Sequence, residues 1–297
     1  MKSQLTGELQ LESITDREDR EDRAEPLGRI ERLSDGYVLA FDRQYDYPRS
    51  YIWDLLTDPA RVAQWLGKLT PGWELGKEYS LDMGGDLCTG TVLQLNPPTS
   101  LQVTWDDNMG LESLLEWRVL DCAGGALLQL RARSETTEFL TEGAAGWQLI
   151  LDSLDDVAAG RPARPDADWA ALRDAYATKY QVSHTMGELE VTDGITMIHF
   201  DRRFEARLPR VKDALTADPT QQPRVEQAEV DFTATGPVTL VTVRHVVEDP
   251  SETAALMARW HAHLDAVGVD LDGDTPHISV RKLRVLEDFY RANTAAE

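Results

Sequence analysis

Parts of this sequence occur twice, in the same order but at different spacing. Residues 41–45 (FDRQY) match residues 200–204 (FDRRF), and a glycine-containing segment, residues 27–31, matches residues 186–190. Near the end of each copy the same residue types recur at helical spacing: Trp147, Leu151 and Asp152, then Trp260, Leu264 and Asp265. Internal similarity of this kind indicates two copies of one structural unit.

The second copy is the shorter one. The interval from Phe41 to Trp147 is much longer than that from Phe200 to Trp260, so the second copy lacks the middle of the first. It keeps a first strand and helix, two late strands (residues 225–233 and 238–247) and a last long helix. Because a curved sheet without its middle strands encloses little space, we expect the second copy to serve in packing or interaction.

The pattern of the first copy predicts an α+β unit. A strand at residues 37–45 precedes two short helices, each with a proline near its start, where the missing N–H is tolerated. Short strands separated by glycine and proline turns follow, from residue 77 to residue 133. A long helix comes next, in which four apolar residues recur at helical spacing: Trp147, Ile150, Leu151 and Leu154. Strands grouped between helices indicate the α+β class.

Charge and composition limit the partners and the location of the protein. A chain of 297 residues, 42% of them hydrophobic, is long enough for two domains with cores of their own. Its formal net charge of -22 repels phosphate backbones and anionic membrane surfaces, so we expect no nucleic-acid or membrane partner. With two cysteines and no apolar run of membrane-spanning length, we expect a cytoplasmic protein. The low share of lysine against arginine is typical of a GC-rich bacterial genome.

Several spaced motifs of the first copy resemble a known family, the activator-of-Hsp90-ATPase homologue group within the START-like (SRPBCC, Bet v 1-like) superfamily. The matching segments are residues 47–59 (YPRSYIWDLLTDP), 62–66, 90–92, 97–98, 101, 104–105 and 143–154 (GAAGWQLILDSL). The resemblance covers about residues 27–160. It implies a helix-grip fold, in which a curved antiparallel sheet surrounds a long C-terminal helix, here as two tandem copies with the second shortened.

The repeat and the resemblance together predict the domain organisation. We expect an acidic, mixed-charge tail at residues 1–26 and a complete helix-grip domain at residues 27–160. A helical linker at residues 161–185 then leads to a truncated helix-grip-like domain at residues 186–293.

The resemblance also implies a cavity between the sheet and the long helix of the first domain. Nine side chains are expected to line it as a ligand-binding site: Trp65, Tyr79, Met83, Val103, Trp105, Trp117, Trp147, Ile150 and Leu151. Aromatic side chains suit apolar ligand sites, but the same residues could simply fill the core. Both interpretations stay open from the sequence.

Catalytic and metal-binding motifs are not evident. All six histidines lie in the second half of the chain, from His184 onward, so the first domain has no histidine for acid–base catalysis. His261 and His263 are two apart on a helix and point in different directions, which disfavours a metal site. The acidic run Asp270, Asp272, Asp274 lacks the glycine and the closing glutamate of a calcium loop. We therefore expect no catalytic residue, no metal and no cofactor.

Three functions remain as hypotheses. The first is non-enzymatic binding of a small hydrophobic ligand in the first domain. The alternative is a co-chaperone-like or other protein-interaction module, as the Hsp90-activator resemblance implies. An enzyme of the cyclase or hydrolase type is the third, since some members of the superfamily are enzymes.

Overall fold

The computed structural model describes residues 27–34, 36–84, 87–107, 112–134, 136–163, 168–192, 194–217 and 228–294, and the predicted tail at residues 1–26 lies outside these ranges. They form two antiparallel sheets, of eight and four strands, each with its own helices and its own hydrophobic core. The α+β class predicted from the sequence is confirmed. Among the described helices, none has an apolar stretch long enough to span a membrane.

The first sheet has the strand order β1-β2-β8-β7-β6-β5-β4-β3. Its strands are β1 (Arg29–Leu33), β2 (Gly36–Tyr45), β3 (Lys68–Thr70), β4 (Glu78–Asp82), β5 (Leu87–Asn96), β6 (Ser100–Asp106), β7 (Glu112–Cys122) and β8 (Gly125–Ser134). Four helices accompany it: α1 (Arg49–Thr57), α2 (Pro59–Val62), α3 (Leu140–Ala158) and α4 (Trp169–Tyr180). Every neighbouring pair of strands is antiparallel, so the strands from β3 to β8 follow one another across the sheet as a meander.

Periodicity in the sequence explains which side of each element is buried. On β6, Leu101, Val103 and Trp105 are buried and the residues between them are not, as expected for a strand with one face on the core. The helix α3 buries a broad stripe that includes Trp147 and Leu151 against this face. The long helix thus lies on the sheet as the helix-grip interpretation predicts.

The second sheet has the strand order β11-β12-β10-β9. Its strands are β9 (Glu188–Thr192), β10 (Ile195–Phe204), β11 (Ala228–Thr235) and β12 (Val238–Val246). Its helices are α5 (Leu208–Thr216), α6 (Thr253–Asp272) and α7 (Val280–Thr294). The last of these, α7, is not among the elements that we assigned to the second copy from the sequence. Asp270 and Asp272 lie in α6, and Gly273 ends that helix with a φ of 95°, so no acidic loop forms there.

Contacts as well as sequence recur in the two sheets. The ring of Phe41 packs over Gly28, and that of Phe200 packs over Gly187, so closely that a Cβ on either glycine would lie 2.3 Å from the ring. In the first unit, Arg43 forms an ion pair with Asp152 of the long helix. At the matching positions of the second unit, Arg202 pairs with Asp265. These recurring contacts support the tandem interpretation.

A tyrosine from the last helix of each unit holds the same glycine. The N–H of Gly28 donates to the Tyr176 hydroxyl (2.8 Å), and that of Gly187 donates to the Tyr290 hydroxyl (3.0 Å). The helix α4 lies within the predicted helical linker at residues 161–185, and it packs against the first unit because Tyr176 is buried in the first core. The helix α7 occupies the equivalent place in the second unit.

The two units share a buried polar junction. The Glu142 carboxylate, in the first turn of α3, accepts hydrogen bonds from the backbone N–H groups of Thr185 and Met186, at 2.5 and 2.8 Å. The N–H of Phe139 donates to the Thr185 hydroxyl (2.8 Å), and the Phe139 ring packs in the second core. The start of α3 therefore anchors the chain segment that leads into the second sheet.

Candidate functional site

The predicted ligand-binding side chains come together between the first sheet and α3. Seven of the nine are buried: Trp65, Tyr79, Val103, Trp105, Trp117, Trp147 and Leu151. The other two, Met83 after β4 and Ile150 on α3, are half-buried and pack against the same core. The sequence therefore identifies a real cluster, which we call the aromatic cluster.

Four tryptophans form the centre of the aromatic cluster. The ring of Trp117 on β7 packs edge-on against Trp65 and Trp147, with ring centroids 6.0 and 5.7 Å apart. Trp147 also contacts Trp105 on β6, at 5.0 Å. Tilted and edge-to-face arrangements of this kind are the favourable ones for aromatic pairs. The rings thus contact one another across the space between sheet and helix.

Three polar atoms of the aromatic cluster are held by hydrogen bonds at its boundary. Trp65 Nε1 donates to the carbonyl of Leu55 (2.9 Å), and Trp105 Nε1 donates to the Asp107 carboxylate (3.2 Å). The Tyr79 hydroxyl donates to the carbonyl of Thr104 (2.8 Å). These three polar groups are therefore satisfied, and the rest of their rings contributes apolar surface to the cluster.

Two titratable groups of the aromatic cluster are kept neutral. Burial raises the pKa of the Tyr79 hydroxyl, and it raises the pKa of the neighbouring Cys88 thiol to about 12. Both groups are therefore protonated at neutral pH.

One aromatic neighbour was not among the predicted residues. The ring of Trp73 lies edge-on to Tyr79, with centroids 4.7 Å apart, and Trp73 Nε1 donates to the carbonyl of Leu56 (2.9 Å). It lies outside any helix or strand, where residue periodicity says nothing about burial. Its aromatic type was the one available signal in the sequence.

A second cluster of charged side chains lies where the two units meet, and we call it the junction ion cluster. It consists of Glu138, Arg202, His261, Asp265 and Lys282. His261 is fully buried, with Nε2 3.3 Å from Glu138 Oε1 and 3.4 Å from Asp265 Oδ2. As expected, His261 and His263 lie on different faces of α6. The helix α7 covers the face that carries His261, so both histidines are buried.

By donor type, Glu138, His261 and Asp265 could hold a metal ion. The ammonium group of Lys282, however, lies 3.0 Å from Glu138 Oε2 and 2.9 Å from Asp265 Oδ2. Together with Arg202, which is 2.6 Å from Asp265, it supplies the positive charge that a metal would bring. The arrangement is that of a charge-balanced ion network.

His261 also has a structural counterpart in the first unit. Counting from the matched tryptophans, His261 takes the place of Gln148, whose Oε1 accepts a hydrogen bond from the Tyr176 hydroxyl (3.0 Å). His261 Nδ1 pairs with the Tyr290 hydroxyl at 2.7 Å. His261 thus makes the same contact with a tyrosine hydroxyl in the second unit that Gln148 makes in the first.

The comparisons with known proteins agree with this description. Residues 46–159 match the model of the family described as Activator of Hsp90 ATPase homolog 1-like protein. No curated protein matches the chain.

Solved structures with a similar fold include CalU16 from Micromonospora echinospora, which is 20% identical, with 52% of this chain and 93% of that chain covered and a TM-score of 0.43. DynU16, described as a protein of the dynemicin biosynthetic locus, is 18% identical, with 81% of this chain and 98% of that chain covered and a TM-score of 0.42. EF2215 from Enterococcus faecalis, a conserved protein of unknown function, is 17% identical, with 56% of this chain and 96% of that chain covered and a TM-score of 0.44.

The family match spans the helices α1 and α2, the strands β3 to β8 and all of α3, which are the elements that enclose the aromatic cluster. This part of the chain is therefore similar to the activator of Hsp90 ATPase homologue 1-like family, in keeping with the START-like, helix-grip resemblance.

Proposed function

We propose that the first domain binds a small hydrophobic molecule at the aromatic cluster and performs no chemistry on it. One observation carries the proposal: four tryptophan rings contact one another between the sheet and α3, and the Nε1 atoms of two of them, Trp65 and Trp105, donate hydrogen bonds at the boundary. This leaves an interior made of ring faces, ring edges and aliphatic carbon. Such surfaces favour an apolar ligand, because burial of its carbon surface is the main gain on binding.

Binding at this place requires the rings to separate. Met83 and Ile150 are the half-buried members of the aromatic cluster, and they lie at its edge rather than at its centre. We place the access route there, since a methionine and an isoleucine at the edge can move aside without breaking a hydrogen bond. Packing of one tryptophan ring on another would then give way to packing of the same rings on the ligand.

The chemistry of the aromatic cluster supports binding over catalysis. The first 183 residues contain no histidine. The pKa values of Tyr79 and Cys88 are raised, so both side chains stay protonated at neutral pH. A ligand held here meets neutral, apolar groups, which suits a carrier or a sensor.

The test is a thermal-shift screen of the full chain against lipids, aromatic polyketides and other apolar metabolites. A ligand that binds only the folded protein stabilises it by RT ln(1 + [L]/Kd), which is about 2.7 kcal/mol at a concentration of about 100 times Kd. We expect at least one compound class to raise Tm in a concentration-dependent way. Trp147→Phe should weaken that shift strongly, because it removes ring surface at the centre of the aromatic cluster.

The matched control is Trp260→Phe, which removes the same indole surface from the core of the second unit. Trp260 is fully buried and donates from Nε1 to His245, so its replacement also lowers the stability of the protein. A ligand-induced shift that Trp260→Phe leaves intact and Trp147→Phe reduces would support the proposal. Equal effects of the two variants, or no shift from any compound with a folded protein, would contradict it and favour a protein partner.

A further inference from the structure

A cavity with a volume of about 330 Å³ lies at the junction of the two units, away from the aromatic cluster. The helix α4 of the first unit forms one wall, and the outer face of β9 and β10 in the second sheet forms the other. Its charged and imidazole-bearing side chains are Arg173, Asp174, His184, Glu188, His199 and Asp201. A volume in this range suits a small molecule.

Arg173 is the fixed part of the wall on α4. It is buried, and its Nη2 donates to Glu188 (2.7 Å) and to Asp174 (2.9 Å), while Nε donates to Asp174 (3.0 Å). Nη1 makes no hydrogen bond to any atom in the part of the chain that the structure describes. The two carboxylates therefore neutralise the guanidinium and leave one of its nitrogens free to donate to a ligand oxygen.

His199 and Asp201 form the opposite wall, on β10. The Asp201 carboxylate accepts a hydrogen bond from the Thr242 hydroxyl (2.6 Å), which holds it in place. His199 lies between two carboxylates, with Nδ1 3.5 Å from Glu190 and Nε2 3.5 Å from Asp201. Nε2 is a buried atom without a hydrogen-bond partner among the described residues.

The charge balance of the cavity is negative. Asp174, Glu188 and Asp201 bring three carboxylates against the single guanidinium of Arg173. The chain as a whole carries a formal charge of -22, which adds a field of the same sign. A cleft lined by one sign of charge concentrates counter-ions of the other sign, so the cavity selects for a cation.

We propose that this cavity binds a small hydrophilic organic cation, one protonated amine carrying hydroxyl groups. The ammonium group pairs with Asp201, where the carboxylate is held by Thr242. A hydroxyl oxygen of the ligand accepts from Arg173 Nη1, and the rest of the ligand lies against the wall that His199 forms. The site is independent of the aromatic cluster, because its walls come from α4 and the second sheet and its chemistry is polar.

The test is isothermal titration of the full chain with two matched probes, glucosamine and glucose, in the same low-salt buffer. The two molecules differ in one group, an ammonium in place of a hydroxyl. We expect glucosamine to bind at least about tenfold more tightly than glucose, the difference typical of one charge-assisted hydrogen bond. Asp201→Asn should reduce the affinity for glucosamine by a similar factor.

The control for net charge is Asp231→Asn on β11, which removes one negative charge from the same sheet outside the cavity. A second pair of variants on α4 changes no charge: Ala177→Leu fills the cavity, whereas Ala171→Leu adds the same carbons at an exposed position. The proposal predicts that Asp201→Asn and Ala177→Leu each weaken glucosamine binding by at least about tenfold and that both controls keep the original affinity. If Asp201→Asn fails to fold, the comparison of Ala177→Leu with Ala171→Leu is the test of the proposal.

Three results would overturn the proposal. Equal weakening in Asp201→Asn and Asp231→Asn would show that glucosamine acts as a diffuse counter-ion of an acidic protein. Equal affinity for glucosamine and glucose would show that charge is not recognised. The absence of glucosamine binding would exclude this class of ligand.

Discussion

At the scale of single residues, the most informative feature is a glycine whose N–H is held by a distant tyrosine. Gly28 needs to be a glycine because the Phe41 ring occupies the space of a side chain, and Gly187 meets the same condition against Phe200. The glycine N–H is buried in each case and is satisfied by a hydroxyl from the last helix of its unit. A buried donor without a partner costs about 1–3 kcal/mol, so these tyrosines matter to stability.

This arrangement predicts unequal effects of two identical substitutions. Gly28 N–H has a second acceptor, Gln148 Oε1 at 3.3 Å, whereas Gly187 N–H donates to Tyr290 alone among the bonds described. Tyr290→Phe should therefore lower the free energy of unfolding by about 1–3 kcal/mol, and Tyr176→Phe by less. Urea denaturation measures both, with the half-buried Tyr47→Phe as the control. A larger effect of Tyr176→Phe would contradict this account.

At the scale of elements, the first turn of α3 does more than begin a helix. A carboxylate near a helix N-terminus usually interacts with the free N–H groups of its own first turn. Glu142 instead accepts from the backbone of Thr185 and Met186, which precede β9. The first unit therefore holds the start of the second, and the element that lies on the first sheet also positions the second sheet.

We expect Glu142→Gln to loosen this attachment. The amide offers one acceptor oxygen without charge, so the two N–H donors of residues 185 and 186 lose part of a charge-assisted hydrogen bond, about 1–3 kcal/mol in total. Hydrogen exchange at these two amides should become faster, while exchange in β6 and β7 stays unchanged. Glu205→Gln, an exposed carboxylate in the second unit, is the control. Unchanged exchange at residues 185 and 186 in the Glu142 variant would refute the role given to it.

At the scale of the whole molecule, the junction ion cluster links the two units by charge. Burial lowers the pKa of His261, but the carboxylates of Asp265 and Glu138 outweigh it, so the pKa is raised above its ordinary value. For Asp265, burial raises the pKa, but His261, Arg202 and Lys282 outweigh it, so the pKa is held well below its ordinary value. The cluster is therefore strongest with His261 protonated and Asp265 ionised.

The direction of the pH dependence follows from these shifts. The pKa of His261 is higher in the folded than in the unfolded protein, so its protonation stabilises the fold. This stabilisation is complete below the ordinary histidine pKa of 6.5 and is lost as pH rises through the folded pKa. The pKa of Asp265 is lower in the folded than in the unfolded protein, so its ionisation stabilises the fold. This stabilisation is present above the ordinary aspartate pKa of 3.8 and is lost as pH falls from there through the folded pKa. The cluster should thus stabilise the protein most between about pH 4 and 6.5.

His261→Gln tests this window, because it places in the second unit the residue that the first unit has at Gln148. The glutamine can keep a hydrogen bond to Tyr290 but cannot take up a proton. The difference in Tm between the unchanged protein and the variant should be largest near about pH 5.5. It should shrink towards about pH 9, because His261 loses its proton and with it the stabilising charge. A difference independent of pH would mean that His261 acts only as a hydrogen-bonding group.

Much of the fold was predictable because it depends on local periodicity. Alternation on β6 and β7 and the spacing of Trp147, Ile150 and Leu151 decide which faces turn inward. Side chains that share an inward face meet once the elements pack, so the aromatic cluster could be foreseen from the sequence. The repeated FDRQY and FDRRF segments likewise indicate two units without any structure.

Contacts between distant parts of the chain were decided by the tertiary structure alone. Burial of His261 depends on α7, the meeting of Arg173 with Glu188 depends on how α4 lies against the second sheet, and Glu142 reaches Thr185 across a gap of 43 residues. Periodicity specifies the face that a residue occupies but not the element that covers it. For this chain, the sequence by itself determined the fold class, the family resemblance of the first unit and the aromatic cluster. The pairing of charges at the junction arose only where two separately patterned units packed together.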